Sequence, residues 1–208
     1  SRGDRFYLSL PYLMIVTSTC ILAIGNAFVE NVKYTFIIEG LERDEAFYGI
    51  LAFTWALSEV PLMFLSSALV KRYSWRMVMV MGFTFNIIKI GSYLFIQPLN
   101  SWLMIPVQFF NSFALFYPAY SYAITNEIAP RRKALALSMR QTLIQLGGFT
   151  GGLFGAWLSS NLATKAGIVE PFHVFFKLSI TFSLVGLFSF GIIHLINHEL
   201  NKRDERGK

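Results

Sequence analysis

The sequence predicts an all-α fold: a polytopic membrane protein with six transmembrane helices in one bundle over residues 1–208. Composition is the first reason. Hydrophobic residues make up 54% of the chain and charged residues 14%, and the mean hydropathy is +0.51, a balance that suits lipid rather than water as the solvent. Length is the second, because a span takes about 20 mainly apolar residues and 208 residues hold six spans and short loops with no sizeable soluble domain. The third is the order of the charges. Arg2 and Arg5, then Lys71, Arg72 and Arg76, then Arg131, Arg132 and Lys133, then Lys202, Arg203, Arg206 and Lys208 alternate with loops where Glu39, Glu42, Asp44, Glu45 and Glu170 stand beside only Arg43 and Lys165. Lys and Arg collect on cytoplasmic loops, so both termini are expected in the cytoplasm, residues 198–208 as a basic cytoplasmic tail, and the chain in the cell (inner or plasma) membrane. The net charge of +6 is then an orientation signal, and no nucleic-acid partner is implied.

The first helix is expected over residues 6–37. Residues 6–29 carry no charge, a run too long for the apolar core of a signal peptide, so it reads as a retained span. Asn26, Glu30 and Lys33 follow at spacings of four and three and share one polar face. Ionisable groups inside a membrane face a cavity or a partner, so Glu30 reads as a proton carrier or solute ligand with Lys33 as its neutralising neighbour; the alternative puts both near the outer interface with Lys33 snorkelling.

The second helix, residues 47–70, carries Glu59 in mid-span with Trp55 one turn earlier. The third, residues 76–96, places Gly82, Asn86, Lys89 and Tyr93 on one face. Glu59 and Lys89 in adjacent helices suggest a charge pair, either a static bridge or one that opens when a proton or solute arrives. Residues 90–126 are uncharged, and Gln97-Pro98-Leu99-Asn100-Ser101 splits the run into a hairpin. The fourth helix then covers residues 101–126, kinked at Pro106 and Pro118, and offers Gln108, Asn111 and Ser112 as hydrogen-bonding groups, or as glue between helices. The fifth, residues 134–160, carries a doubled stripe of Gly147, Gly151 and Gly155 beside Gly148, Gly152 and Ala156, which lets backbones approach closely. Arg140 on the same helix is expected to pair with Glu127 or a lipid phosphate. The sixth covers residues 171–197. His173, His194 and His198 form no metal-ligand set and Cys20 is the single cysteine, so neither a metal site nor an intrachain disulfide is expected.

Two loops carry a family resemblance. Residues 67–76 read Ser-Ala-Leu-Val-Lys-Arg-Tyr-Ser-Trp-Arg and resemble a degenerate copy of the major facilitator loop signature, Gly-x-Leu-x-Asp-Arg-x-Gly-Arg-Arg, as it recurs between helices eight and nine of that family. Leu69, Arg72 and Arg76 match; Ser67, Lys71, Ser74 and Trp75 depart. Residues 126–136, Asn-Glu-Ile-Ala-Pro-Arg-Arg-Lys-Ala-Leu-Ala, are similar to the loop between helices ten and eleven. The resemblance covers nearly the whole chain as helices seven to twelve, the C-terminal half of a twelve-helix fold made of two inverted three-helix repeats. Within the family, Lys89-Ile90-Gly91-Ser92 and Gln145-Leu146 are similar to the lactose permease-like oligosaccharide and proton symporter branch, although the His and Glu that serve proton coupling in that branch's corresponding fourth span are absent here.

The resemblance implies secondary active transport of a small polar solute by alternating access between two six-helix bundles, with an N-terminal six-helix half and the lipid bilayer as partners. A proton gradient is the expected drive, with no cofactor. The glycine stripe is expected at the interface with that other half. Trp55, Gln108 and Asn111 favour a sugar or related compound carried by proton-coupled symport, and Lys33 and Lys89, which would suit an organic anion, make an organic-anion transporter of the same fold the alternative. A non-transporting membrane scaffold or a membrane enzyme is the remaining alternative, and no catalytic constellation of residues stands out. The candidate solute-binding or proton-coupling residues are Asn26, Glu30, Lys33, Trp55, Glu59, Asn86, Lys89, Gln108 and Asn111.

Overall fold

The computed structural model describes residues 6–161 and 167–206, the last four as backbone only. Arg2, Arg5, Lys165 and Lys208 of the charge pattern lie outside the described residues. Helices dominate: α1 (Leu10–Thr35), α2 (Glu45–Arg72), α3 (Trp75–Tyr93), a four-residue α4 (Met104–Val107), α5 (Ser112–Tyr122), α6 (Lys133–Ser159) and α7 (His173–Arg206). Three stretches, Leu10–Gly40, Glu45–Arg72 and Glu170–Lys202, are long and apolar enough by themselves to cross a membrane.

Local chemistry sets where these helices start. The Asp44 carboxylate accepts from the Phe47 amide at 2.9 Å to open α2, and Ser74 Oγ accepts from the Met77 amide at 3.2 Å to open α3 two residues after α2 ends. Such caps satisfy N–H groups that a helix leaves without partners. The helices alternate in direction, so the basic loops gather at one end of the bundle and the acidic loops at the other. These are called here the basic end and the acidic end.

Residues 101–126 are not the single helix that hydropathy predicts. A 3-10 turn over Pro98–Leu103 leads into α4, the chain leaves helical geometry before Asn111, and α5 begins afresh at Ser112. Pro106 supplies no N–H to the ladder. Asn111, in an extended conformation (φ −85°, ψ 93°), caps α5 by accepting from the Ala114 amide at 3.3 Å. Gln108 Nε2 donates to the Met104 carbonyl at 3.0 Å and to Tyr93 Oη at 3.2 Å, which satisfies groups that the break frees. At the other end of the chain α7 runs on to Arg206, so the tail expected from residue 198 continues the sixth helix through its described part.

Helix α1 packs mainly against α6 and α7, α5 packs against α2 and α3, and α3 meets α7. Exchanging the first three helices for the last three, with α4 and α5 together as the fourth, turns α1–α6 into α5–α2 and α1–α7 into α5–α3, and leaves α3–α7 unchanged. The two trios also run in opposite directions. The packing therefore obeys the pseudo-twofold symmetry of an inverted repeat.

Lipid offers no hydrophobic drive for helices to associate, so close packing must hold them. On α6, a Cβ built on Gly151 would lie 2.5 Å from the Ile24 carbonyl oxygen, and on Gly147 it would lie 2.7 Å from Cys20 Sγ. One edge of the glycine stripe thus packs against α1 within this chain, where the sequence placed the stripe at the interface with another half. The other edge, Gly148 and Gly152, meets nothing within 4 Å. Asn31 Nδ2 ties the same seam by donating to the Gly152 carbonyl at 3.2 Å.

Two aromatic clusters fill the bundle. Trp75, Phe83, Phe116 and Phe190 belong to the one nearer the basic end, and Phe28, Phe36, Tyr93 and Phe176 to the one nearer the acidic end. Between them lies a polar layer. Asn86 Nδ2 donates to Asn26 Oδ1 at 3.0 Å and to Ser183 Oγ at 2.9 Å, and Ser112 Oγ donates to Asn86 Oδ1 at 3.2 Å. Four helices are joined through one amide.

Candidate functional site

The polar layer floors a cavity of about 350 Å³ between α1, α2, α3 and the start of α5. Helical spacing explains its walls: Asn26, Glu30 and Lys33 come from one face of α1, and Asn86, Lys89 and Tyr93 from one face of α3. Trp55 closes the α2 side, and the break in the fourth helix delivers Asn111, Ser112 and Phe113.

Of the nine residues singled out from sequence, seven line this cavity: Asn26, Glu30, Lys33, Trp55, Asn86, Lys89 and Asn111. Gln108 is buried beside it, bonded to Tyr93 and to the chain at the break, and does not reach the opening. Glu59 lies one turn beyond Trp55 toward the basic end and outside the lining. The expected Glu59–Lys89 pair is not formed, and among the described residues Glu59 has no ion-pair or hydrogen-bond partner. The reason is packing: α5 lies against both α2 and α3, which touch each other only sparingly.

The polar side chains divide into anchored and available groups. Asn86 spends both donors and its acceptor on protein partners, so it fixes geometry and orients Asn26. Asn111 caps α5 and aims its own N–H at the Trp55 carbonyl and Ser58 Oγ, each at 3.4 Å. Asn26 Nδ2 has no protein acceptor among the described residues.

Charge in the cavity is unbalanced. Lys33 Nζ lies 3.4 Å from Glu30 Oε1, so these two largely cancel. Lys89 has no acidic partner among the described residues. The start of α5 adds to the imbalance, because the first N–H groups of a helix carry partial positive charge and Asn111 satisfies only one of them. A cation and a helix N-terminus lining one pocket can hold an anionic group.

Some contributors carry a weak sequence signal. Ser183 anchors Asn86 from α7, and its spacing of four from Ser179 in an uncharged stretch is the only hint. Ser58, which donates to the Trp55 carbonyl at 2.7 Å and to the Gln108 carbonyl at 3.4 Å, has none.

The sequence model of the family described as Major Facilitator Superfamily matches residues 15–207 of the chain. No curated protein and no solved structure matches it.

Proposed function

The chain belongs to the Major Facilitator Superfamily, a family of membrane transporters, and from that premise we propose that it carries a small organic anion through the cavity between α1, α2, α3 and α5. The observation that carries this reading is Lys89, a cation with no acidic partner among the described residues that lines the cavity together with the start of α5. An unpaired charge inside a membrane protein costs a few kcal/mol at least, and an anionic solute offsets that cost as it enters. Trp55 and Asn26 complete the pocket with an aromatic wall and a free amide donor. In this reading the six helices form the C-terminal half of a twelve-helix transporter in the cell membrane, with both termini cytoplasmic. A companion N-terminal half closes the cavity, and access alternates by rocking the two bundles about the bound solute.

A second reading, proton-coupled symport of a sugar, is favoured by the aromatic face of Trp55 and the amides around it. Its proton carrier in the cavity is Glu30, whose side chain is two-thirds exposed. Thermal melting of the full-length protein with succinate, inorganic phosphate or a disaccharide separates the readings. A ligand at 100 times its Kd stabilises by about 2.7 kcal/mol. Stabilisation by an anion, lost in Lys89→Gln, is the expected result. Stabilisation by the disaccharide alone overturns the anion reading.

A further inference from the structure

A second cation lies on the same groove. Arg140, in the second turn of α6, is 5% exposed, and its guanidinium carbon stands 3.2 Å from the centroid of the Tyr120 ring on α5. The expected partner Glu127 is occupied elsewhere, accepting from Trp75 Nε1 at 2.7 Å. Among the described residues no carboxylate pairs with Arg140, and its Nε is buried with no acceptor. Stacking on a phenol ring compensates a buried cation in part, yet it leaves Nε, on the N–H edge suited to carboxylate or phosphoryl oxygens, without an acceptor.

The surroundings make this a site rather than an isolated charge. Arg140 and Tyr120 line a crevice of about 170 Å³ whose walls include Thr19, Gln141, Asn26, Ser112 and Phe113, and the last three also line the main cavity. The two spaces therefore adjoin across a shared wall. On its other side Arg140 borders a hollow of about 280 Å³ with Tyr117, Ser121 and Ser138, toward the basic end. Asn26 is seven residues beyond Thr19 on α1 and is bonded to Asn86, one turn before Lys89 on α3, so the path from Arg140 to Lys89 is about 15 Å long.

Resting on the anion reading above, we propose that Arg140 is a second anion-recognition point on the solute path, receiving the carboxylate or phosphoryl group of the transported solute at the basic end of the groove while Lys89 receives it at the acidic end. A path this long exceeds a small solute, so the two cations act in turn. The bidentate edge of Arg140 holds the solute when the transporter faces the basic end, and Tyr120 keeps the guanidinium plane in place between visits.

The test is exchange of labelled succinate and of inorganic phosphate by the full-length transporter in oriented proteoliposomes, with KM measured separately from each face. Arg140→Gln is expected to raise KM at the basic-end face about tenfold or more and leave the acidic-end face within about twofold, while Arg140→Lys, a point charge without the fork, falls between. Where Arg140→Gln yields no folded protein, Arg140→Lys carries the same comparison. Unchanged KM at both faces in folded Arg140→Lys and Arg140→Gln overturns the Arg140 assignment and leaves the Lys89 reading standing. No movement of either anion by the wild type overturns both. A third arm adds phosphatidylglycerol in place of succinate: stabilisation of wild type, but not of Arg140→Gln, by that lipid alone assigns Arg140 to a headgroup and overturns the proposal.

Discussion

Replacing Gly151 by alanine should weaken the seam between α1 and α6, whereas the same change at Gly152, one residue on, should not. The Cβ of the first variant would lie 2.5 Å from the Ile24 carbonyl oxygen, 2.8 Å from its Cα and 3.0 Å from its carbonyl carbon, against ordinary contact beginning near 3.4 Å. All three are backbone atoms, which cannot rotate out of the way, so the helices must part by nearly an ångström and loosen the neighbouring contacts of Gly147 and Gly155 as well. Overpacking of this kind costs about 1–3 kcal/mol, partly offset by about 1 kcal/mol of helix propensity gained on leaving glycine. At Gly152 nothing lies within 4 Å, so only the propensity gain remains. The two variants should differ by about 2 kcal/mol, or about 4–8 °C in melting temperature for a chain of this size. Thermal melts of the purified protein in one detergent read this directly. Equal melting temperatures, or a larger loss at Gly152, would show that the packing edge of the stripe has been assigned to the wrong face.

Three further outcomes follow from the same geometry. Asn86→Leu removes the hub that joins Asn26, Ser112 and Ser183, and leaving those groups unsatisfied should lower stability by about 1–3 kcal/mol and weaken solute binding together; melting and a binding titration on one preparation check both. Glu59→Gln neutralises a carboxylate with no partner among the described residues and outside the cavity lining, so the melting temperature should not fall and solute affinity should stay within about twofold. Trp75→Phe deletes the donor to Glu127 at the basic end and shrinks a residue that is 1% exposed, which should cost about 1–3 kcal/mol in a denaturation series. Glu127→Gln, which keeps an acceptor, should cost less.

Hydropathy and charge order made most of the fold legible, because a bilayer demands long apolar runs and sorts Lys and Arg to one side. The break before Asn111 was not legible. It falls in the uncharged run of residues 90–126, where a capping asparagine and a polar helix face look alike until the backbone angles are known. Periodicity also placed Asn26, Glu30 and Lys33 on one face, and Asn86, Lys89 and Tyr93 on another, and those faces do meet in one cavity. It could not say which neighbour each face meets. Glu59 and Lys89 stand at similar depth, about 20 Å from the basic end by helical rise, but α5 lies against both of their helices, an arrangement that adjacency in sequence does not predict. The doubled glycine stripe shows the same limit: its spacing announces close packing on two edges, while only the structure assigns one of them to α1. Arg140 was visible as a charge within a span, but its stacking on Tyr120 and its place in a crevice beside the main cavity depend on how α5 and α6 cross.

The central claim is that the unpaired cation at Lys89 selects an anionic solute. The measurement that tests it most directly is uptake of labelled succinate into proteoliposomes holding the full-length protein, compared with uptake of a neutral disaccharide, in wild type, Lys89→Gln and Lys89→Arg. The account predicts anion uptake in wild type, a loss of about tenfold or more in Lys89→Gln, and partial retention in Lys89→Arg, where the charge survives. Disaccharide uptake that persists in Lys89→Gln, with no anion uptake in any variant, would contradict it.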